Sequence, residues 1–280
     1  MNETGIFPDV PFDEYQTWPG LNKSRIWTVH TKTLAHYKYE IDHPETYESD
    51  ALMLGQAAHK AILEPDNFDD YYAVGGPINE RTGNPYGTET KAFAEWADAQ
   101  GKPVLSIEQR DYALCLRDAV WAHKTAKMLL TNAAIEVSMQ WHDAQTALLC
   151  KGRPDAINKG IIIDIKTSRC ANVGPFGRDA YRYGYHMQAA FYHDGAEAVS
   201  NSQVGEFVFI VVEKEPPYLI SIFQIEKDEM ELGRFAYRIC LQQIAGAMKN
   251  DRWPGYDPDI LPLLLPSYAG TELSGATFEG

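Results

Sequence analysis

The run Ile161-Ile162-Ile163-Asp164-Ile165-Lys166-Thr167 constrains this chain more than any other stretch. Its β-branched residues make a buried strand, yet a carboxylate sits in its middle. A charge there is costly unless it is paired or holds a cation. Side chains alternate along a strand, so Asp164 and Lys166 share one face and Ile165 points the other way, into the core. Just upstream, Gly152-Arg153-Pro154-Asp155 closes another predicted strand. Brought together at a strand pair, Asp155 and Asp164 form an oxygen-rich site suited to Mg²⁺ or Mn²⁺. A lysine beside it can orient or deprotonate a water, or stabilise charge developing on a phosphate. That is the chemistry of metal-assisted phosphodiester hydrolysis. A structural ion pair among the same three side chains would satisfy them equally.

The elements around this strand set the fold class. Residues 1–20 read as extended, because Pro8, Pro11 and Pro19 disfavour a helix. Ser24 is placed to cap a helix through Trp27, and Asp50 precedes a helix over 51–63 that stops at Glu64-Pro65. Gly75 to Gly87 reads as a long loop, followed by helices over 89–100 and 108–130. Residues 134–142, 146–153 and 161–167 then read as a three-strand meander. A helix over 185–198, strands over 207–212 and 219–225, and a long helix over 227–249 complete the pattern. The order predicts an α/β or α+β layer, one central sheet wrapped by helices. It divides into an extended segment 1–20, a single domain 21–252 and a Pro/Gly-rich tail 253–280.

Charge narrows the partners. The chain carries a net −14, which taken alone argues against nonspecific binding of a polyanion. From Lys151 to His193, however, seven Lys/Arg face three Asp, a local +4 that leaves −18 for the rest. A basic segment in an acidic protein is a candidate phosphate-contacting surface. The longest apolar run, Phe207 to Val212, is too short to span a bilayer. The acidic start MNETGIFPDVPFDEY lacks the apolar stretch of a signal peptide. A location in the cytoplasm follows as the expectation. Cys115, Cys150, Cys170 and Cys240 form no Cys-x-x-Cys, so reduced and mostly buried thiols are expected rather than a metal knuckle.

Other residues fit one site. His59 lies four after Gly55 on one helix, so both face the same side, and the small glycine lets that helix approach a neighbour. Gln188 and Tyr192 are likewise four apart, within HMQAAFYH. Glu136, in a strand beside apolar neighbours, offers a third carboxylate. Each also has an ordinary structural reading, as a packed histidine or a polar and aromatic pair on an amphipathic face.

Taken in order, Gly55-x-x-x-His59, Glu136, Gly152-Arg-Pro-Asp155, Asp164-Ile-Lys166 and Gln188-x-x-x-Tyr192 resemble the PD-(D/E)XK nuclease superfamily. Within its RecB-like branch they are similar to the exodeoxyribonuclease VIII (RecE) C-terminal nuclease domain and related phage proteins. LLCKGRPD, YGYHMQAAFY, Tyr15 and the Gly20 to Ser24 segment add to the likeness, which covers about residues 8–255. The resemblance implies an α/β restriction-endonuclease-like core, a mixed central sheet flanked by helices. It implies a metal, Mg²⁺ with Mn²⁺ able to substitute, held by His59, Asp155, Asp164 and the carbonyl of Ile165. Lys166 would act on the attacking water, and Glu136 on water or a second metal. Gln188 and Tyr192 would line the site and meet DNA, joined by Arg153, Thr167, Ser168 and Arg169. The implied activity is 5′→3′ digestion of linear duplex DNA, leaving 3′ single strands for a RecT-like annealing protein. A homo-oligomeric ring threading the DNA, encoded by a phage or prophage, would let an acidic exterior coexist with a basic lumen. The cysteine cluster of iron–sulfur RecB-like nucleases and a Walker A motif are both missing. An endonuclease acting on special structures or single strands, or a catalytically silent DNA-binding module, are the alternatives.

Overall fold

The computed structural model describes residues 4–44, 49–200 and 204–265. Its N-terminal part departs from the extended reading. After strand β1 (Gly5–Phe7) comes a short helix, α1 (Phe12–Thr17). Pro11 stands at its N-cap and Pro19 lies beyond its C-cap, so these prolines bracket the helix rather than forbid it. What holds it is distant in sequence. The Lys151 ammonium, buried, donates to the carbonyls of Tyr15 (3.0 Å), Gln16 (3.1 Å) and Trp18 (2.7 Å) at the helix C-terminal end. It also sits 4.8 Å from the centre of the Tyr15 ring. Lys151→Met is therefore expected to strip three carbonyls of their donor and cost about 3 kcal/mol. A lowered urea midpoint with new proteolytic cleavage between residues 8 and 20 would show it. An unchanged midpoint and a protected segment would refute it.

Helices α2 (Lys23–Thr31) and α3 (Leu34–Asp42) follow. The cap of α2 is Asn22, whose side chain accepts from the Arg25 N–H at 3.0 Å, and not Ser24, which lies within the helix. Helix α4 (Asp50–Leu63) is capped by Ser49 and ends where expected, at Glu64. A 3₁₀ turn (Pro65–Asn67), α5 (Phe68–Tyr71), β2 (Ala73–Val74), α6 (Lys91–Gln100) and β3 (Val104–Leu105) lead to α7 (Ile107–Ala122) and α8 (Lys124–Leu130). The expected helix over 108–130 is thus two. His123 takes an extended backbone and its ring accepts from the Ala126 N–H, ending one helix and capping the next.

The predicted strand over 134–142 is also two: β4 (Ala134–Ile135) and β5 (Ser138–His142). Glu136 between them has φ +48, a conformation no strand continues through. Strands β6 (Leu149–Gly152), β7 (Ala156–Asn158) and β8 (Ile161–Ser168) come next. The expected meander therefore divides between sheets. β5 and β6 join β1 in a three-stranded sheet, while β7 and β8 form a hairpin in a five-stranded one. Lys159 (φ +50) and Gly160 (φ +85) supply the left-handed turn of that hairpin. Helices α9 (Val173–Arg182) and α10 (Tyr185–Val199), strands β9 (Phe207–Glu213) and β10 (Ile220–Gln224), and helix α11 (Lys227–Asn250) complete the fold. The five-stranded order is β10-β9-β8-β7-β4, with β8 and β9 parallel and the other pairs antiparallel. β2 and β3 make a separate parallel pair.

This mixed central sheet is covered on both faces, as its continuous apolar strands require. Ile162, Phe207, Phe209 and Val211 pack toward α10 and α11, among Met187, Ala190, Leu241 and Ile244. Ile163, Ile165, Val208, Ile210 and Val212 pack toward α4, α7 and α8, among Ile62, Leu116 and Val120. Asp164, in register with Phe209, lies on the α10 side of this sandwich. All four cysteines are free; Cys150 and Cys240 are buried, whereas Cys115 is exposed, against expectation. Among the described residues no helix is long and apolar enough to cross a membrane. Of the expected tail, 266–280 lie outside the described residues, as do 1–3 of the N-terminal segment.

Candidate active site

The β7–β8 hairpin brings the two aspartates together. Ala156 pairs with Ile163, so Asp155, one residue earlier, falls opposite Asp164. The Ile165 N–H donates to Asp155 Oδ2 at 2.6 Å. From the other side, α4 aims His59 at the same oxygen, with Nδ1 3.4 Å away. Asp164 is only 2% exposed, and one of its oxygens, Oδ2, makes no hydrogen bond among the described residues. Its Oδ1 accepts from Gln188 Nε2 at 2.5 Å, and its Oδ2 meets Lys166 Nζ at 2.6 Å. Gln188 turns its own oxygen to Lys166 Nζ at 3.1 Å, closing a triangle between β8 and α10. The Tyr185 ring lies 4.5 Å from that ammonium.

The electrostatics follow from crowding. Burial, then the neighbouring Asp164 charge, pushes the Asp155 carboxyl up to about 6, with His59 and Lys166 pulling the other way. Burial would lower Lys166, but Asp164 and Asp155 outweigh it and hold the ammonium above its ordinary value. Two carboxylates that repel each other, an imidazole nitrogen and a strand carbonyl make a hard donor set that fits Mg²⁺ or Mn²⁺. Asp164 Oδ2, buried without a hydrogen bond among the described residues, has lone pairs free to take a cation while Oδ1 still accepts from Gln188.

The other predicted residues fall into rings around this centre. The Glu136 carboxylate accepts from Arg153 Nη2 at 2.8 Å, and its N–H donates to the Asp155 carbonyl at 2.8 Å. Glu136 thus braces the strand end that carries Asp155. Arg153 spends its fork inside the protein, on Glu136, the Ser138 hydroxyl and the Val10 carbonyl (2.7 Å each for the last two). Tyr192 fits against Gly152, where a Cβ would lie 3.1 Å from its ring. Burial raises its phenol well above 10, with the Arg153 backbone pulling the other way. Ser168 is buried and bonded to the Cys170 backbone, whereas Arg169 is exposed. With Thr167 and Ser168 it lines a small pocket shared with Phe176, Asp179, Tyr183, Tyr185 and Lys214. Gly55 does not serve close packing: a Cβ there would meet nothing within 4 Å.

One residue had no chemical signal in the sequence. Lys23, at the start of α2, donates to the Tyr183 carbonyl at 2.5 Å. Burial, then the Lys166 charge, lowers its ammonium to about 8, with Asp164 opposing. It brings a second cation near the site from far away in the chain, a contact that only the assembled fold makes.

A second acidic group needs separating from this site. Among the described residues, His193, Asp194 and Glu197 are the three whose ligand atoms all lie within 4.8 Å of one another. Asp194 is nonetheless committed to protein partners. Arg234 holds it with Nη2 at 2.6 Å and Nε at 2.8 Å, and the Tyr237 hydroxyl donates to it. Although burial opposes it, these bonds, with the His193 imidazole 3.7 Å away, hold the carboxyl well below the usual range. With Arg238 bonded to Asp143, the network fastens α10 and α11 to the β5–β6 turn.

Comparison with known proteins agrees with this fold. The model of a family described as a PDDEXK-like domain of unknown function (DUF3799) matches residues 26–259. No curated protein matches the chain. Among solved structures, a protein of Eubacterium rectale described as a "putative exonuclease" is similar at a TM-score of 0.60. It is 12% identical, over 94% of this chain and 98% of its own, and so shares the fold. The structure of SSO0001, 22% identical over 52% of this chain and 69% of its own, has a TM-score of 0.29, too low to carry an argument.

Proposed function

We propose that this chain, which belongs to the family of PDDEXK-like domains of unknown function (DUF3799) and so to the PD-(D/E)XK superfamily, is a metal-dependent deoxyribonuclease. The finer reading is an exonuclease that digests linear duplex DNA 5′→3′ and leaves 3′ single strands. The observation that carries the proposal is the closed set Asp155, Asp164, Lys166 and Gln188 beside His59. Desolvated carboxylates crowded into like-charge pairs cluster at functional sites.

His59, Asp155, Asp164 and the Ile165 carbonyl would hold Mg²⁺ or Mn²⁺. Such an ion lowers the pKa of bound water and neutralises a phosphate oxygen. The protein's own residues do the rest. Lys166 presents a positive charge where negative charge gathers on the phosphate. Gln188 fixes both Asp164 and Lys166, so it positions the reacting groups rather than reading DNA. Phosphate contacts carry no sequence information, so digestion without sequence preference is expected. A 3′ strand left behind would suit a single-strand annealing protein. A ring of copies would keep the enzyme on its duplex despite the chain's net −14.

The test is linear duplex DNA labelled separately at its 5′ and 3′ ends, with a covalently closed circle alongside, in Mg²⁺. Release of 5′ label first, with the circle intact, is expected. Nicking of the circle would replace the exonuclease reading with an endonuclease. Early loss of 3′ label would reverse the polarity.

A further inference from the structure

Where α9 gives way to α10, Tyr181-Arg182-Tyr183-Gly184-Tyr185 places three tyrosines in five residues. Gly184 turns the chain there with φ +68, and a Cβ on it would lie 2.5 Å from the Trp27 ring. Only glycine fits that reversal. Tyr185 goes inward, under Lys166. Tyr183 and Tyr181 stay outside, 45% and 68% exposed.

These exposed rings are held in place. Tyr181 stacks on His186 with centroids 5.6 Å apart and planes 14° from parallel. His186 is 8% exposed and meets the Trp27 ring edge-on at 6.3 Å. Tyr181 is thus the outer member of a stack rooted in the protein. Tyr183 lies 5.9 Å from Tyr185, with the Arg182 guanidinium 5.6 Å from its ring and Lys23 on its carbonyl. Rings fixed in this way lose little freedom on binding. Their setting is basic within an acidic chain, with Arg169, Arg178 and Arg182 against Asp179 in the surrounding segment. Exposed aromatic faces among cations suit one ligand chemistry above others, a polyanion with flat unpaired bases.

We infer that Tyr181 and Tyr183 form a stacking platform for unpaired bases of the strand that enters the site beside Lys166. The platform is continuous with the reacting groups through Tyr185. It names the form of nucleic acid engaged, a frayed or single-stranded end. The inference rests on the nuclease reading for the identity of the strand, but not for the binding itself.

The probe is a short single-stranded oligonucleotide carrying 2-aminopurine, compared with one abasic at the same positions, both in EDTA. Wild type is expected to change the 2-aminopurine fluorescence and to bind the intact strand about tenfold more tightly than the abasic one. Tyr181→Ala with Tyr183→Ala should lose that preference and bind both strands alike. The double Phe variant, which keeps the rings, should retain it and shows that the segment still folds. Equal binding of the intact strand by wild type and the Ala variant would overturn the inference. So would equal losses on both strands, which would assign the tyrosines to the backbone, or no binding by wild type. Duplex cleavage in Mg²⁺ is read separately. Base-dependent binding without cleavage would sink the nuclease reading alone, and cleavage without a tyrosine effect would sink the platform alone.

Discussion

Lys166→Met and Asp164→Asn are each expected to lower DNA cleavage by about a thousandfold or more. Lys166 delivers its charge in a nearly dry site, where one lost electrostatic contact typically costs two to three orders of magnitude in rate. Its loss reaches further than that contact. Asp164 is 2% exposed and keeps only Gln188 once the ammonium is gone, so the carboxylate becomes a buried charge with one donor. Breaking a buried pair from one side costs about 3–5 kcal/mol. The Met variant should therefore melt earlier as well as cleave poorly. Asp164→Asn keeps the shape but removes a metal-holding charge, and its amide can oppose Lys166. Steady-state cleavage at saturating Mg²⁺, with melting curves beside it, checks both. Near-wild-type rates in either folded variant would remove these residues from the chemistry.

The second large effect concerns a contact between helices. A Cβ on Gly233 of α11 would lie 2.1 Å from the His186 carbonyl oxygen and 2.5 Å from its carbon. Both are backbone atoms of α10 and cannot rotate away. Gly233→Ala must push the two helices apart, along with Gln188, which α10 presents to Asp164 and Lys166. A cost of at least about 3 kcal/mol is expected, at the upper end of overpacking effects. For a domain of this size that is roughly 10 °C in Tm, with cleavage falling beyond what lost stability explains. Gly55→Ala is the contrast. Nothing lies within 4 Å of a Cβ on that glycine, so helix propensity should leave it neutral or more stable by up to about 1 kcal/mol. Similar melting of the two variants would refute the packing account.

These predictions mark what the sequence carried. Strand β8 was legible because Asp164 breaks an isoleucine run that physics otherwise buries. A central sheet wrapped by helices follows from the order of elements, its mixed character only from the family resemblance. That Asp155 and Asp164 meet at a strand pair was legible, but strand β7, which carries Asp155 to β8, was not, since the local pattern makes 146–153 the neighbour of β8. What escaped was set by distant partners. Helix α1 forms among prolines because Lys151, more than 130 residues away, caps its carbonyls. Glu136 breaks a convincing strand because its backbone and carboxylate both serve the segment around Asp155. His123 looked like a mid-helix residue and is a cap. Through the resemblance Arg153 is expected to meet DNA, and its guanidinium is occupied inside the protein by Glu136, Ser138 and Val10. Local pattern reports on periodicity and turn chemistry. It does not report which donor meets which acceptor across the fold.

The measurement closest to the central claim is cleavage of a labelled linear duplex by the purified protein, first in EDTA and then with Mg²⁺ or Mn²⁺ added back. The site geometry predicts no cleavage in EDTA, full recovery with either ion, and no recovery in Asp164→Asn. Cleavage that persists in EDTA, or a folded protein that cuts no DNA with either ion, would contradict it.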